Sequence, residues 1–293
     1  MKAGEIFCVI MTAKICHKGM IYVKKVILSI VMFMLMVNAA YSAGVPTIGF
    51  ISRLNTSEEE ISNIIQNTQR TREWRMLSNS HKRYSVKFYD SLTTMHMALQ
   101  RGEINELALP EIVAEYLVES DPRIEVCCVS RTNASMSLAL GFLKENAALA
   151  EKFNAALREM TKDWSLAELH GIYIHHKGKV KPVKFSTFKG AQTVKVAVTG
   201  DMPPIDYIDA GGKAAGFNAA LLAELGRRMK VNITLVNIDA GARTSALASG
   251  RVDAVFWFET ANGNTWKYDA PEDVLLSEPY YSWSKFFHVR KGR

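Results

Sequence analysis

Apolar positions along this chain switch between two periods. Short runs of β-branched and aromatic residues at 47–52, 85–89 and 105–109 have the length and composition of strands. Between them the spacing turns helical, first after the capping residues Asn55, Thr56 and Ser57, then over 91–101, then from Pro110 onward. A second series follows the same plan. It predicts a strand over 194–199, a hairpin at 205–208 turning through Asp209-Ala-Gly-Gly212, a helix over 217–229, a strand over 232–236, a helix over 243–249 and a strand over 253–258. Alternation of this kind calls for an α/β fold with mainly parallel sheets and helices on both faces. Between the series, residues 149–174 read as helical, with Leu149, Phe153, Ala156, Leu157 and Met160 at core spacing.

The two series are copies. Met97 to Glu111 lies 148 residues ahead of Ser245 to Glu259, matching at Ala98/Ala246, Leu99/Leu247, Gly102/Gly250, Ile104/Val252 and Glu111/Glu259. Each copy reads helix, glycine stop, strand, and the same offset sets 47–51 against 195–199. Two related lobes are the expectation.

Charge changes the picture at the amino terminus. The first 42 residues carry Lys2, Lys14, Lys18, Lys24 and Lys25 against Glu5, and so supply +4 of the formal +7. Lys24 and Lys25 precede a mostly apolar run of twelve residues, 26–37, followed by Ala39, Ala40, Tyr41, Ser42 and Ala43. That is the order of a secretory signal peptide cut before Ala43, with Met20 as an alternative start, and the run is short of the ~20 residues that span a bilayer. An uncleaved anchor is the competing reading. Secretion into a bacterial periplasm is the expected location. The basic segment 175–193, from His175 and His176 through a series of lysines, reads as a solvated linker; a nucleic-acid or lipid patch lacks interleaved aromatics, and the histidines lack companions for a metal. Cys127 and Cys128 fall in an apolar run, 124–129, that reads as a strand. Neighbours on a strand point to opposite faces, so the pair is expected to be unsuited to a shared metal or a mutual disulfide.

Composition excludes disorder and a disulfide-stapled miniprotein. Enzyme signatures are missing from the sequence: no Gly-x-Ser-x-Gly elbow, phosphate-binding glycine loop or His-Glu-x-x-His occurs.

The segment Val194-Lys-Val-Ala-Val-Thr-Gly-Asp-Met-Pro-Pro204, with Tyr207, Gly216-Phe217, Ala246 to Asp253 and Ser277-Glu-Pro-Tyr-Tyr281, resembles the amino-terminal lobe of family 3 bacterial solute-binding proteins, the polar amino-acid receptors of ABC transporters. Residues 91–117 and 138–173 resemble the other lobe and its closing helices. The resemblance implies a type II, two-lobed periplasmic-binding-protein-like fold whose lobes are joined by a hinge. It covers nearly all of the chain after residue 42, but in reversed lobe order, which reads as a circular permutation; a truncated tandem gene is the alternative. The expected organisation is a leader over 1–42, a lobe over 43–135, a hinge strand and closing helices over 136–174, a linker over 175–193 and a lobe over 194–293.

Such folds bind ligands beyond the carboxyl ends of their strands, in a cleft that closes by hinge motion. The candidate ligand-binding residues there are Asp201, Tyr207, Trp257, Glu259, Thr260 and Lys267 on one lobe, with Trp266 in the same loop as Lys267. On the other they are Arg53, Asn55, Thr56, Asp90 and Glu111. The family's carboxylate-binding Arg has no counterpart between Arg251 and Arg290, and Pro110 occupies the place of its ammonium-binding acid. The implied role is capture of a small polar solute for a membrane permease by a monomer, with no cofactor, no metal and no nucleic acid. A sensory or scaffold module is the alternative. Asp201 with Glu259 is the pair a dehydratase-like enzyme on this fold would use, though fold analogy alone assigns no chemistry.

Overall fold

The computed structural model describes residues 45–53, 56–68, 84–175, 182–262 and 270–292, without the side chains of 65–68, 130–135 and 257–262. The expected leader therefore lies outside the described residues. From Pro46 to Arg293 the chain is one compact unit.

It begins with β1 (Thr47–Ile51), α1 (Glu58–Thr68), β2 (Ser85–Tyr89), α2 (Leu92–Arg101), β3 (Glu106–Pro110) and α3 (Glu111–Ser120). Local chemistry sets these boundaries. Ser57 and Glu60 form a reciprocal capping box, Ser57 Oγ accepting from Glu60 N at 3.1 Å and Glu60 Oε2 from Ser57 N at 2.8 Å. Ser91 caps α2 by accepting from Thr94 N, and Gly102 ends it in the left-handed region at φ 78°.

The expected strand at 124–129 is far longer: β4 runs Ile124–Leu143. After Ile124 its first part is half-buried or exposed, whereas Met136, Ser137, Leu138, Ala139, Leu140 and Phe142 are all buried, because both sheet faces are covered there. The single helix expected over 149–174 is two, α4 (Ala147–Lys162) and α5 (Ser165–Tyr173), broken where Trp164 turns left-handed at φ 67°. Arg228 clasps that corner, 2.8 Å from Asp163 and 2.9 Å from Ser165 Oγ.

The second series gives β5 (Thr193–Val198), a small antiparallel sheet of β6 (Asp201–Met202), β7 (Asp206–Ile208) and β8 (Ala214–Ala215), then α6 (Phe217–Met229), β9 (Asn232–Asn237), α7 (Arg243–Ala248), β10 (Ala254–Asn262), β11 (Val274–Leu276) and β12 (Tyr281–Lys291). The described part of the linker is not loose. Asn232 Oδ1 accepts from Phe188 N at 2.7 Å, and Phe185 packs on the core.

The sequence pattern calls for mainly parallel sheets, and the structure instead has one mixed sheet of nine described strands, ordered β2-β1-β3-β12-β4-β10-β5-β9 with β11 on β4. The wings, β2-β1-β3 and β10-β5-β9, are parallel; the centre is antiparallel because β4 and β12 run against each other and against the strands they join. The repeat is exact in the hydrogen bonding of the wings. Ile48 pairs with Glu106 as Val196 pairs with Ala254, each partner 148 residues on. Thr47 exchanges bonds with Asn105, and Lys195 does so with Asp253. A main core spans both wings, from Met95, Leu99, Leu107 and Val113 to Val196, Phe217, Leu221 and Phe256, with Phe142 and Phe153 between. Burial of that apolar surface is the main stabilising term.

Candidate functional site

A cleft, partly open to solvent, lies where the two wings face each other. Phe50, Ile51, Ser52, Arg53 and Asp90 line it from the β1–β2 wing, with Ala108 and Pro110 of β3. Thr199, Asp201, Met202, Ala240 and Arg243 line it from the other wing, and Phe286 of β12 closes the floor. Most wall residues follow the carboxyl ends of parallel strands or start the next helix, where side chains are free of the ladder.

Asp201 is where the sequence places it, at the cleft, but it already has a partner. Its Oδ2 accepts from Leu92 N at 2.6 Å, so it caps the amino terminus of α2 from the opposite wall. Burial pushes its carboxyl above the ordinary range, while the amides of Leu92 and Thr93 pull it back. The turn that presents Asp201 is built by Asp206, whose buried Oδ2 accepts from Thr199 N at 2.9 Å, Thr199 Oγ1 at 3.1 Å and Gly200 N at 3.2 Å. Asp206 is a positioning residue that carries no mark in the sequence pattern.

Arg53 and Asp90 also line the cleft, and Asp90 Oδ1 accepts from Ser52 Oγ at 2.8 Å. Arg243, which the pattern shows only as a helix start, supplies the cationic group of the second wall. It is 2% exposed, donates from Nε to Ala240 O at 2.8 Å, and reaches across the cleft to Ser52 O at 3.2 Å. The signal that could have found it is its place at the helix start just beyond the loop after β9, the counterpart of the Asp90 loop after β2.

Other expected residues fall elsewhere. Tyr207 is on β7, half-buried, its phenol raised first by burial, and is not among the cleft-lining side chains. Thr56 is buried, and its Oγ1 has no partner among the described residues. Glu111 opens α3 and meets Lys285 Nζ at 3.2 Å, which sets a cation of the chain itself on the acid expected to meet a ligand. Glu259 and Thr260 pair through the backbone with Leu138 and Ser137 of β4; their side chains and that of Trp257 lie outside the described set, as do Asn55, Trp266 and Lys267 altogether.

The wings are thus joined by two antiparallel strands that pass from one to the other. β4 enters at Ile124 beside Lys291 and leaves at Leu143 beside Val274, and β12 crosses the other way, Tyr281 standing opposite Leu138. Two walls and a crossing ribbon thus gather strand-end residues from both wings around one cleft. Residues 194–293 match the profile of bacterial extracellular solute-binding proteins, family 3. In family terms that segment holds β5 to β12, and so one complete wall and one crossing strand. The family consists of binding proteins rather than enzymes.

Among solved structures, the chain is similar to the ligand-binding component of an ABC-type import system from Staphylococcus aureus with zinc bound, at 10% identity and TM-score 0.41, covering 84% of this chain and 66% of that one. A periplasmic substrate-binding protein of an ABC transporter from Coxiella burnetii is similar at 12% identity and TM-score 0.40, covering 84% of each chain. A nutrient-binding protein from Burkholderia cenocepacia bound to methionine gives 13% and 0.38, covering 84% and 85%. The chain thus spans just under two thirds of the first of these. Among curated proteins no sequence matches. No helix among the described residues is long and apolar enough to cross a membrane.

Proposed function

We propose that the chain is a non-catalytic, periplasmic solute-binding protein that closes on a small polar solute carrying both charges and presents it to the permease of an ABC importer. The observation that carries this is the lining of the cleft. Arg53 and Asp90 on one wall stand opposite Arg243 and Asp201 on the other, beside apolar Phe50, Pro110 and Phe286, so one cavity holds both guanidinium groups suited to an anion and a carboxylate suited to a cation. Arg243 takes the place of the arginine that the family pattern sets later in the chain. Asp201, capping α2 across the gap, works as a latch for the closed form rather than as the ammonium site, which falls to Asp90.

The test is thermal unfolding against amino acids, amines, small carboxylates and oligopeptides. Binding at 100 times the dissociation constant stabilises by ~2.7 kcal/mol, which moves the midpoint by several degrees. A selective shift by a zwitterion, weakened by Asp90→Ala and by Arg53→Ala, is the expected result. Protein unfolded and refolded to strip carried-over ligand, and then shifted by no compound, would instead mark a sensory or scaffold module.

A further inference from the structure

Where β3 of one wing meets the central strands β12 and β4, the sheet carries a second cluster, away from the cleft, that the alternation of strand side chains hides. On β4 the register against β12 slips: His288 stands opposite Cys128, but Val289 stands opposite Val126. Cys127 is therefore the extra residue of a β-bulge. A bulge breaks the alternation of faces, and Cys127 Sγ and Cys128 Sγ lie 3.6 Å apart on one side of the sheet. This overturns the expectation that adjacent cysteines diverge. Glu106, at the start of β3, brings a carboxylate oxygen within 4.8 Å of both sulfurs. Its other contact is His288, 5% exposed, whose Nδ1 donates to Glu106 Oε2 at 3.0 Å. Arg290, the neighbouring cation on β12, is turned to Glu125, with its Nε at 3.0 Å and Nη2 at 2.9 Å from Oε1.

We propose that Cys127, Cys128 and Glu106 form a binding site for a single zinc ion, with His288 holding the carboxylate in place and a water in the fourth position. Tetrahedral zinc with sulfur at ~2.3 Å sets two sulfurs ~3.8 Å apart, so the pair already stands close to that edge and little rearrangement is required. Two thiols with one carboxylate are a donor set for a thiophilic divalent ion, not for magnesium or calcium. Ligating carboxylates are commonly held by a hydrogen bond of their own, which His288 supplies to Glu106. Cys128 is exposed, which gives the ion a way in and the water its place. Binding replaces two thiol protons by the metal and releases them to solvent. The ion would tie β3 to β4 across β12 and stiffen this end of the crossing ribbon.

The full-length chain, kept reduced, is titrated with Co²⁺ and then Zn²⁺. The expected result is a thiolate-to-cobalt charge-transfer band saturating at one equivalent, displacement by zinc, and a rise in unfolding midpoint with zinc. The cobalt band and the zinc-dependent rise in midpoint are expected to vanish in the Cys127→Ser/Cys128→Ser double variant, and zinc affinity to fall at least about tenfold in Glu106→Gln. Equal midpoints for the metal-free proteins control for folding, with Cys128→Ser alone as the milder variant. No thiolate band in the unaltered chain would overturn the proposal, and so would a band that survives the double substitution, since it would come from Cys8 or Cys16.

Discussion

His170 sits on α5 with its Nε2 hydrogen on the carbonyl oxygen of Tyr280 at 2.9 Å, between the rings of Phe217 at 4.8 Å and Tyr281 at 5.6 Å. Burial, more than any charge, holds its pKa below the ordinary 6.5, against the pull of the Tyr280 carbonyl. A group lowered in this way binds fewer protons folded than unfolded. Its contribution is therefore complete above pH 6.5 and is lost as the pH falls through the depressed value. Urea unfolding from about pH 8 down to about pH 5 is expected to show stability falling over the lower part of that range, and His170→Phe to flatten the fall. At the same scale the cleft is half legible in the sequence. Asp201, Arg53 and Asp90 can be named from strand-end positions, because topology alone exposes such residues. The bond from Leu92 N to Asp201 cannot, since it joins residues 109 apart whose meeting depends on how the wings approach. Arg243 escapes notice because a helix-start arginine looks like any surface cation until its burial is known.

Among elements, the helix–strand units are legible because each is closed by its own residues: Ser57, Ser91, Gly102 and Gly250 do locally what caps and stops do anywhere. β4 is not, since its middle, 130–135, is polar in sequence and is held as strand by pairing with β12 at Ser130 and Arg131 and with β10 at Ser135. The bulge at Cys127 has no sequence mark either. Two glycines separate kinds of constraint. Gly250, at φ 67°, has open space where an added methyl would stand, so Gly250→Ala is expected to cost only about 1 kcal/mol of backbone strain. Gly216, at φ 90°, would set a methyl 2.6 Å from Pro204 O and 2.8 Å from Ile205 O, both rigid backbone. Gly216→Ala is expected to cost more, about 2–4 kcal/mol, and to shift α6. Denaturant midpoints of the two variants, compared with the parent, check the ranking.

For the whole molecule, the reversed lobe order is our reading of the resemblance, and it can be tested by moving the chain ends. β1 starts beside Asn105 on one side of β3, and β12 ends at the same level on the other, two strand spacings or ~10 Å away. A chain beginning at Gln192, joined from Gly292 to Pro46 by a few flexible residues and ending after the helices, is expected to fold with the same circular dichroism and the same ligand-induced shift. Aggregation of that chain, with the parent soluble, would count against the permutation.

The register shared by the two wings has one more consequence. Under the 148-residue offset the strand order reads the same from either edge, so each cleft wall is a copy of the other about an approximate twofold axis through β4 and β12. A symmetric vessel cannot tell one end of its contents from the other. Here the equivalent positions after β1 and β5 hold Arg53 and Asp201, opposite in sign. The duplicated frame thus acquires a direction, and a solute with unlike ends can be seated one way round only.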